Sequence, residues 1–176
     1  MKKQLVKILA VVAILFSGVT MMFAQEIQIP FTEKKYKSDE NFFRASSYGK
    51  SPDMSMAQGI ALTNAKKVLA GLIETKVQSV IQIYTVQAEV NDKVDFGRIT
   101  NEMIKNTVNQ VLNDVHVMDE KAIRNGNLIE YYMVLEIQKK KVEEKIESAI
   151  TMEGVQLERE KFEQVFEEEM KKYENE

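Results

Sequence analysis

Behind an uninterrupted apolar run from Ile8 to Phe16, hydrophobic positions recur along the chain with two different periods. The first is a four-residue step: Ala57, Ala61, Ala65, Leu69 and Ile73, with Val68 and Leu72 at the neighbouring three-residue positions. That spacing predicts an amphipathic helix. Its opening alanines allow close approach to whatever it covers. Ser51-Pro52-Asp53 supplies the start signal, a cap residue with proline at the first helical position and an acid beside the positive helix end. From Val77 to Val90 the β-branched content rises, which by propensity alone suggests a strand. Glu74-Thr75-Lys76, however, offers no turn residue, and the helical register runs on through Val77, Val80, Tyr84 and Ala88. One long helix into the mid-eighties is therefore expected. Asn91-Asp92-Lys93 is the first turn. A second helix is expected from near Asp95, with Val94 and Ile99 as a hydrophobic staple, through Met103, Thr107, Val108 and Val111 to Asn113-Asp114.

The second period is two. Ile129, Tyr131, Met133, Leu135 and Ile137 share one strand face, with Glu130 and Glu136 on the other. Val115–Ile123 and Leu128–Ile137 flank Arg124-Asn125-Gly126-Asn127, where Asn-Gly suits the positive φ of a tight hairpin turn. Asn41–Gly49 reads as a short strand ending in a turn glycine. So apolar a sheet face needs cover. The expected fold is α+β: a small antiparallel three-stranded sheet covered by two helices, in the order β-α-α-β-β-α, with a C-terminal helical extension.

After Lys139-Lys140-Lys141, placed in water at the strand end, a narrow stripe of Val142, Ile146, Ala149 and Ile150 predicts a further helix. Thr151-Met152-Glu153-Gly154 breaks it. A second stripe, Phe162, Val165, Phe166, Met170 and Tyr173, lies inside a very acidic helix. The division is a signal peptide at 1–24, a flexible leader at 25–40, an α+β domain at 41–150 and an acidic amphipathic helix at 151–176.

The head of the chain reads as an export signal. Lys2, Lys3 and Lys7 precede the apolar run, and Phe23-Ala24-Gln25 offers a small residue at the cleaved bond. A membrane span would want about 20 apolar residues. Cleavage is expected after Ala24. The bulk of Met22, two residues before the bond, keeps an uncleaved anchor as the alternative. The basic residues of the leader leave with it, so the mature chain is more acidic than the full chain's net −3. That sign argues against nucleic acid and against a polybasic grip on lipid.

Composition removes most chemistry. With no cysteine there is no disulfide scaffold, thiol nucleophile or thiolate metal site. His116, the single histidine, stands in a predicted strand with no motif around it and reads as a half-exposed strand residue. Glu143, Glu144 and Glu147, and the run Glu167–Glu169, lack the spaced oxygen ligands and glycine turn of a calcium loop and read as solvated helix faces. Ser46, Ser47 and Ser51 lie in no nucleophile elbow, and no Gly-rich loop is present. No catalytic residue, cofactor or metal site is expected.

The stripe Phe162, Val165, Phe166, Met170 and Tyr173 has a positive functional reading. Fully covered, it would contribute about 5–8 kcal/mol, at roughly 1.5–3 per large side chain after discounting partial burial. Uncovered, it is an adhesive patch. It either folds back on its own domain or forms a surface for a partner or a second protomer.

The segments quoted next resemble a known family. Asn41-Phe42-Phe43-Arg44-Ala45-Ser46-Ser47-Tyr48-Gly49-Lys50-Ser51 is similar to its entry strand, and the Ala57-Ala61-Ala65-Leu69 steps to its alanine-stepped helix. Leu112–Asp119 with Gly126 and Tyr131–Leu135 is similar to its hairpin. The family is that of the Helicobacter-type twenty-kilodalton envelope lipoproteins, related to the amino-terminal domain of the flagellar H-ring protein FlgT. The resemblance spans about Asn41 to Ile150 and rests on packing motifs. It implies a secreted, non-enzymatic α+β envelope domain. Lacking cysteine, this chain has no residue to acylate, so no lipid anchor of that kind is expected. Asn113-Asp114 also replaces the glycine expected before the hairpin.

The expected role is a structural or protein-interaction module of the periplasm or cell envelope. Its partner would be an envelope protein or a second copy, with membrane contact at most peripheral. The alternative is a carrier of a small apolar ligand, held between sheet and helices by Tyr84, Met103, Tyr131 and Met133.

Overall fold

The computed structural model describes residues 29–87, 93–152 and 158–171. The signal segment, the turn at Asn91-Asp92, the break at Gly154 and Tyr173 lie outside them, as do the side chains of Val94, Asp95 and Ile99. A 3-10 turn at Lys34–Tyr36 precedes β1 (Phe42–Ser51), α1 (Met54–Gln87), α2 (Lys93–Val111), β2 (His116–Asn125), β3 (Leu128–Gln138), α3 (Lys139–Met152) and α4 (Arg159–Lys171). The fold is α+β, with one antiparallel sheet of order β1-β3-β2.

Asp53 caps α1, its Oδ1 accepting the Met56 N–H at 2.8 Å. Ser51 and Pro52 therefore do not begin the helix as expected. Ser51 is still strand, and its Oγ accepts the Asp53 N–H at 3.2 Å. The helix then runs unbroken for 34 residues, through the β-branched stretch to Gln87. Ala57, Ala61, Ala65, Leu69, Ile73, Val77, Val80 and Tyr84 are all fully buried. Burial on the sheet and on the neighbouring helices outweighs the strand propensity of the second half. Val68, expected to flank the buried stripe, is 52% exposed and points outward.

Gly49 lies inside β1 and makes no turn. A Cβ there would meet the Ala57 carbonyl oxygen at 2.2 Å and the Ala61 nitrogen at 2.5 Å. A strand without a side chain and a helix with only methyls thus meet at backbone contact. The hairpin turn centres on Gly126-Asn127, one residue later than the Asn-Gly pair suggests, since Asn125 pairs with Leu128. Gly126 has φ +60°, and among the described non-glycine residues only Phe31 has a positive φ. That is the II′ arrangement, with glycine at the first central position. An extra residue, Met118, interrupts the β2–β3 register between Val117 and Asp119.

Alternation in β3 holds except at Val134, which falls on the opposite face and is fully buried as well. Ile129, Tyr131, Met133, Leu135 and Ile137 are all buried on the helix side. There α1 lies on β1 and β3, while α2 packs on α1 and α3, and α4 packs on α1. One hydrophobic cluster takes in the sheet face, all four helices and Phe162, Val165, Phe166 and Met170. The C-terminal helical extension accordingly packs into the domain core. The leader also carries structure. Tyr36 is buried, its OH donates to Asp119 Oδ2 at 2.7 Å, and Phe31 meets its ring edge-on at 4.7 Å. A flexible leader is therefore not what residues 29–40 form.

Candidate functional site

The apolar stripe of α4 was the one surface singled out by the sequence, and the fold turns it inward. Phe162 is fully buried, and Val165, Phe166 and Met170 are at most 6% exposed. Phe162 meets the Tyr84 ring edge-on at 5.6 Å, and the Tyr84 OH accepts the Glu158 N–H at 2.9 Å, at the start of α4. These four side chains are core and offer no docking surface. The periodicity was right, but the stripe's partner is α1 of the same chain. Tyr173, the fifth member, lies outside the described residues.

Two charged groups accompany that stripe. Glu169, read as part of a solvated face, is 3% exposed, and its Oε2 accepts the Ser79 hydroxyl at 2.6 Å. Lys139, read as a strand end in water, is 7% exposed, with Nζ 3.5 Å from the Met170 carbonyl and 5.5 Å above the Phe43 ring. Both tie α4 to the body of the fold. A buried polar contact inside an apolar seam fixes the register of the helices it joins.

Tyr84, Met103, Tyr131 and Met133 are at most 5% exposed and sit in the common core. Three clefts between described residues are lined by other side chains. The largest of these clefts, about 790 Å³, lies at the other end of the fold, where β1 begins, β3 ends, and α3 and α4 pass.

The open face of the sheet is a ladder of directly opposed pairs. Arg44 faces Glu136, Tyr48 faces Tyr132, and Lys50 faces Glu130. Arg44 Nε bonds Glu136 Oε2 at 2.9 Å, and its Nη1 bonds Asp39 Oδ2. Lys50 reaches Glu130 at 2.9 Å, and the tyrosine rings stack at 5.6 Å. Burial works to raise the Asp39 carboxyl, but the Arg44 guanidinium and the N–H groups of Asn41 and Phe42 hold it below the usual range. Burial pushes Glu143 up, assisted by Glu147, Glu163 and Glu167 and opposed by Lys140. Cross-strand pairs of this kind stabilise a sheet. They supply no nucleophile, no acid/base pair and no ligand set. His116 is an exposed residue at the start of β2, opposite Glu136.

One exposed apolar feature escaped the sequence reading. Met56 and Ile60 stand one turn apart on the outer side of α1, 63% and 39% exposed, with Val68 two turns further on. Tyr48 lies beside them on β1, where its carbonyl accepts the Asn64 amide at 3.0 Å. The helical spacing of Met56, Ile60 and Val68 was visible, but it is interrupted by Asn64 and runs beside the stronger alanine stripe. Among the described residues no group of three or more acidic or histidine side chains could hold a metal ion, and no helix is long and apolar enough to cross a membrane. No family model, curated protein or solved structure matches the chain.

Proposed function

We propose that the chain is a secreted, non-enzymatic cell-envelope protein that acts through its surface, as a structural or protein-interaction module. The observation that carries this reading is the N-terminal order of basic residues, apolar run and small-residue exit between Met1 and Gln25. The resemblance of Asn41–Ile150 to the Helicobacter-type envelope lipoproteins is in keeping with this reading. A composition with one histidine and no cysteine supports contact in preference to chemistry. The side of α1 carrying Met56, Ile60 and Val68, next to Tyr48, supports it too, because an exposed row of large apolar groups gains from being covered.

Mass spectrometry of the protein recovered from the envelope fraction tests export, with a mature chain beginning at Gln25 expected. Recovery from the cytosol with Met1 in place would sink the proposal. Cross-linking in the envelope with a photoreactive group at position 60 tests the contact surface. Adducts lost on Met56→Glu are expected, and an equal background at position 60 and at an exposed position such as 127 counts against it.

A further inference from the structure

The two edges of the sheet differ in how their backbone groups are satisfied. On β1, Asp39 Oδ1 accepts the Phe42 N–H at 2.9 Å, and the Asp39 N–H donates to the Phe42 carbonyl at 3.0 Å. The Ser38 hydroxyl accepts the Arg44 N–H at 2.9 Å and donates to the Arg44 carbonyl at 3.3 Å, while Asn64 covers the Tyr48 carbonyl. Phe42, Arg44 and Tyr48 thus turn their backbone groups outward. Their opposites on β3, Gln138, Glu136 and Tyr132, must then bond toward β2. On β2 the alternation leaves Glu120, Ala122 and Arg124, opposite Met133, Tyr131 and Ile129, with backbone groups that point away from the sheet. Among the described residues, the Glu120 N–H bonds its neighbour Asp119 at 2.8 Å and the other groups of that outer edge have no partner. No helix layer stands over it, since β2 packs extensively on β3 alone.

We propose that this edge is a dimer contact, in which β2 of a second copy pairs antiparallel about Ala122 and joins two sheets into one of six strands. The register follows from charge and from the bulge. With Met118 interrupting the ladder, the regular part of β2 runs from Asp119 to Asn125, and its centre is Ala122. A two-fold axis there sets Ala122 against its own copy and Glu120 against Arg124 of the second copy, twice over. All three carry the outward backbone groups that such pairing bonds. Glu120 and Arg124 are exposed and lie on the same side of the sheet, so each finds its opposite charge across the axis. Centring the pair on Glu120 or on Lys121 would instead oppose like charges. Edge strands that avoid association carry blunting devices such as bulges, and here the bulge lies at one end only. Two short strands bury less than the roughly 1,200 Å² of a standard stable interface, so the dimer is expected to depend on concentration. The contact is separate from the α1 row and holds whether or not the chain is exported.

Sedimentation velocity of the protein across micromolar concentrations should show a monomer–dimer equilibrium. Glu120→Arg and Arg124→Glu should each weaken it about tenfold or more, because two pairs turn repulsive at once. Both exchanges in one chain should restore it. Ala122→Pro removes an N–H that the monomer leaves unbonded, so it should abolish the dimer at unchanged circular dichroism. Met56→Glu should leave the dimer in place, which keeps this contact distinct from the α1 row. A monomer at every concentration overturns the proposal in favour of a strand from another protein. A dimer lost on Met56→Glu overturns it in favour of the α1 row. A dimer that survives the single charge reversals or Ala122→Pro, or that the paired exchange fails to restore, overturns it as well.

Discussion

A methyl group placed on Gly49 would lie 2.2 Å from the carbonyl oxygen of Ala57. The contact joins the C-terminal part of an edge strand to the first turns of the longest helix, and both partners are backbone. Neither can swing away as a side chain would. Gly49→Ala is therefore expected to lift α1 from β1, at a cost of about 1–3 kcal/mol or more. Urea unfolding should show a lower midpoint at an unchanged slope. Gly59→Ala, where nothing lies within 4 Å of the added carbon, serves as the control and should be neutral to stabilising.

Truncating the α4 stripe should cost folding stability before it costs anything else. Phe162 is fully buried against Tyr84, and Phe162→Ala is expected to lose about 3–5 kcal/mol, the usual range for a core aromatic. Tyr84→Phe removes only the hydroxyl that accepts the Glu158 N–H, and about 0.5–1.5 kcal/mol is expected. If Phe162→Ala leaves the thermal midpoint unchanged, α4 is not part of the core.

Two carboxyls should tilt the pH dependence in opposite directions. Asp39 is held below its ordinary range despite burial, by Arg44 and two backbone N–H groups, so the stability it adds is present above the unfolded value of about 3.9. That contribution is lost as pH falls through the lower folded value. Glu143 is held above its range by burial and by Glu147, Glu163 and Glu167. Its contribution is present below the unfolded value of about 4.3 and lost as pH rises through the higher folded one. Asp39→Asn should destabilise at pH 7 with an effect that fades in acid. Glu143→Gln should stabilise at pH 7 and also converge on the parent in acid. Denaturant midpoints at pH 7 and about pH 2 check Asp39→Asn, and those at pH 7 and pH 4 check Glu143→Gln; an Asp39→Asn effect that grows in acid would contradict the assignment.

Much of this architecture was legible because its signals are local and repeated. The alternation from Ile129 to Ile137 and the steps from Ala57 to Tyr84 each hold over several turns or pleats. Even the β-branched stretch after Val77 could be read as helix, because Glu74-Thr75-Lys76 contains nothing that turns a chain. Signals that depend on one residue slipped by a position or two: the cap moved from Ser51 to Asp53, and the hairpin centre moved one residue on. Gly49 was misassigned because a glycine needed for close approach looks the same as one needed for a turn. The Tyr36–Asp119 bond spans 83 positions and leaves no local trace. The stripe of α4 is the instructive case. Its spacing shows that the face must be covered, and only the packing of α1 decides that the cover is the chain itself.

Thr107 offers a prediction in the stabilising direction. It lies on the inner face of α2 between Met103 and Val111 and is 2% exposed. Among the described residues its hydroxyl has no hydrogen-bond partner. A buried donor left unsatisfied costs about 1–3 kcal/mol relative to one that is bonded or removed. Valine has nearly the same shape and the same branching at Cβ, so the substitution keeps the packing and the side-chain rotamer preference of the helix. Thr107→Val is expected to raise stability by about 1 kcal/mol, seen as a thermal midpoint higher by roughly 2–4 °C for a chain of this length. Thr107→Ser keeps the hydroxyl and loses a methyl from a tight site, so it should fall below the parent. If valine also falls below the parent, the hydroxyl has a partner such as a buried water, and the α1–α2–α3 seam is wetter than its apolar lining implies.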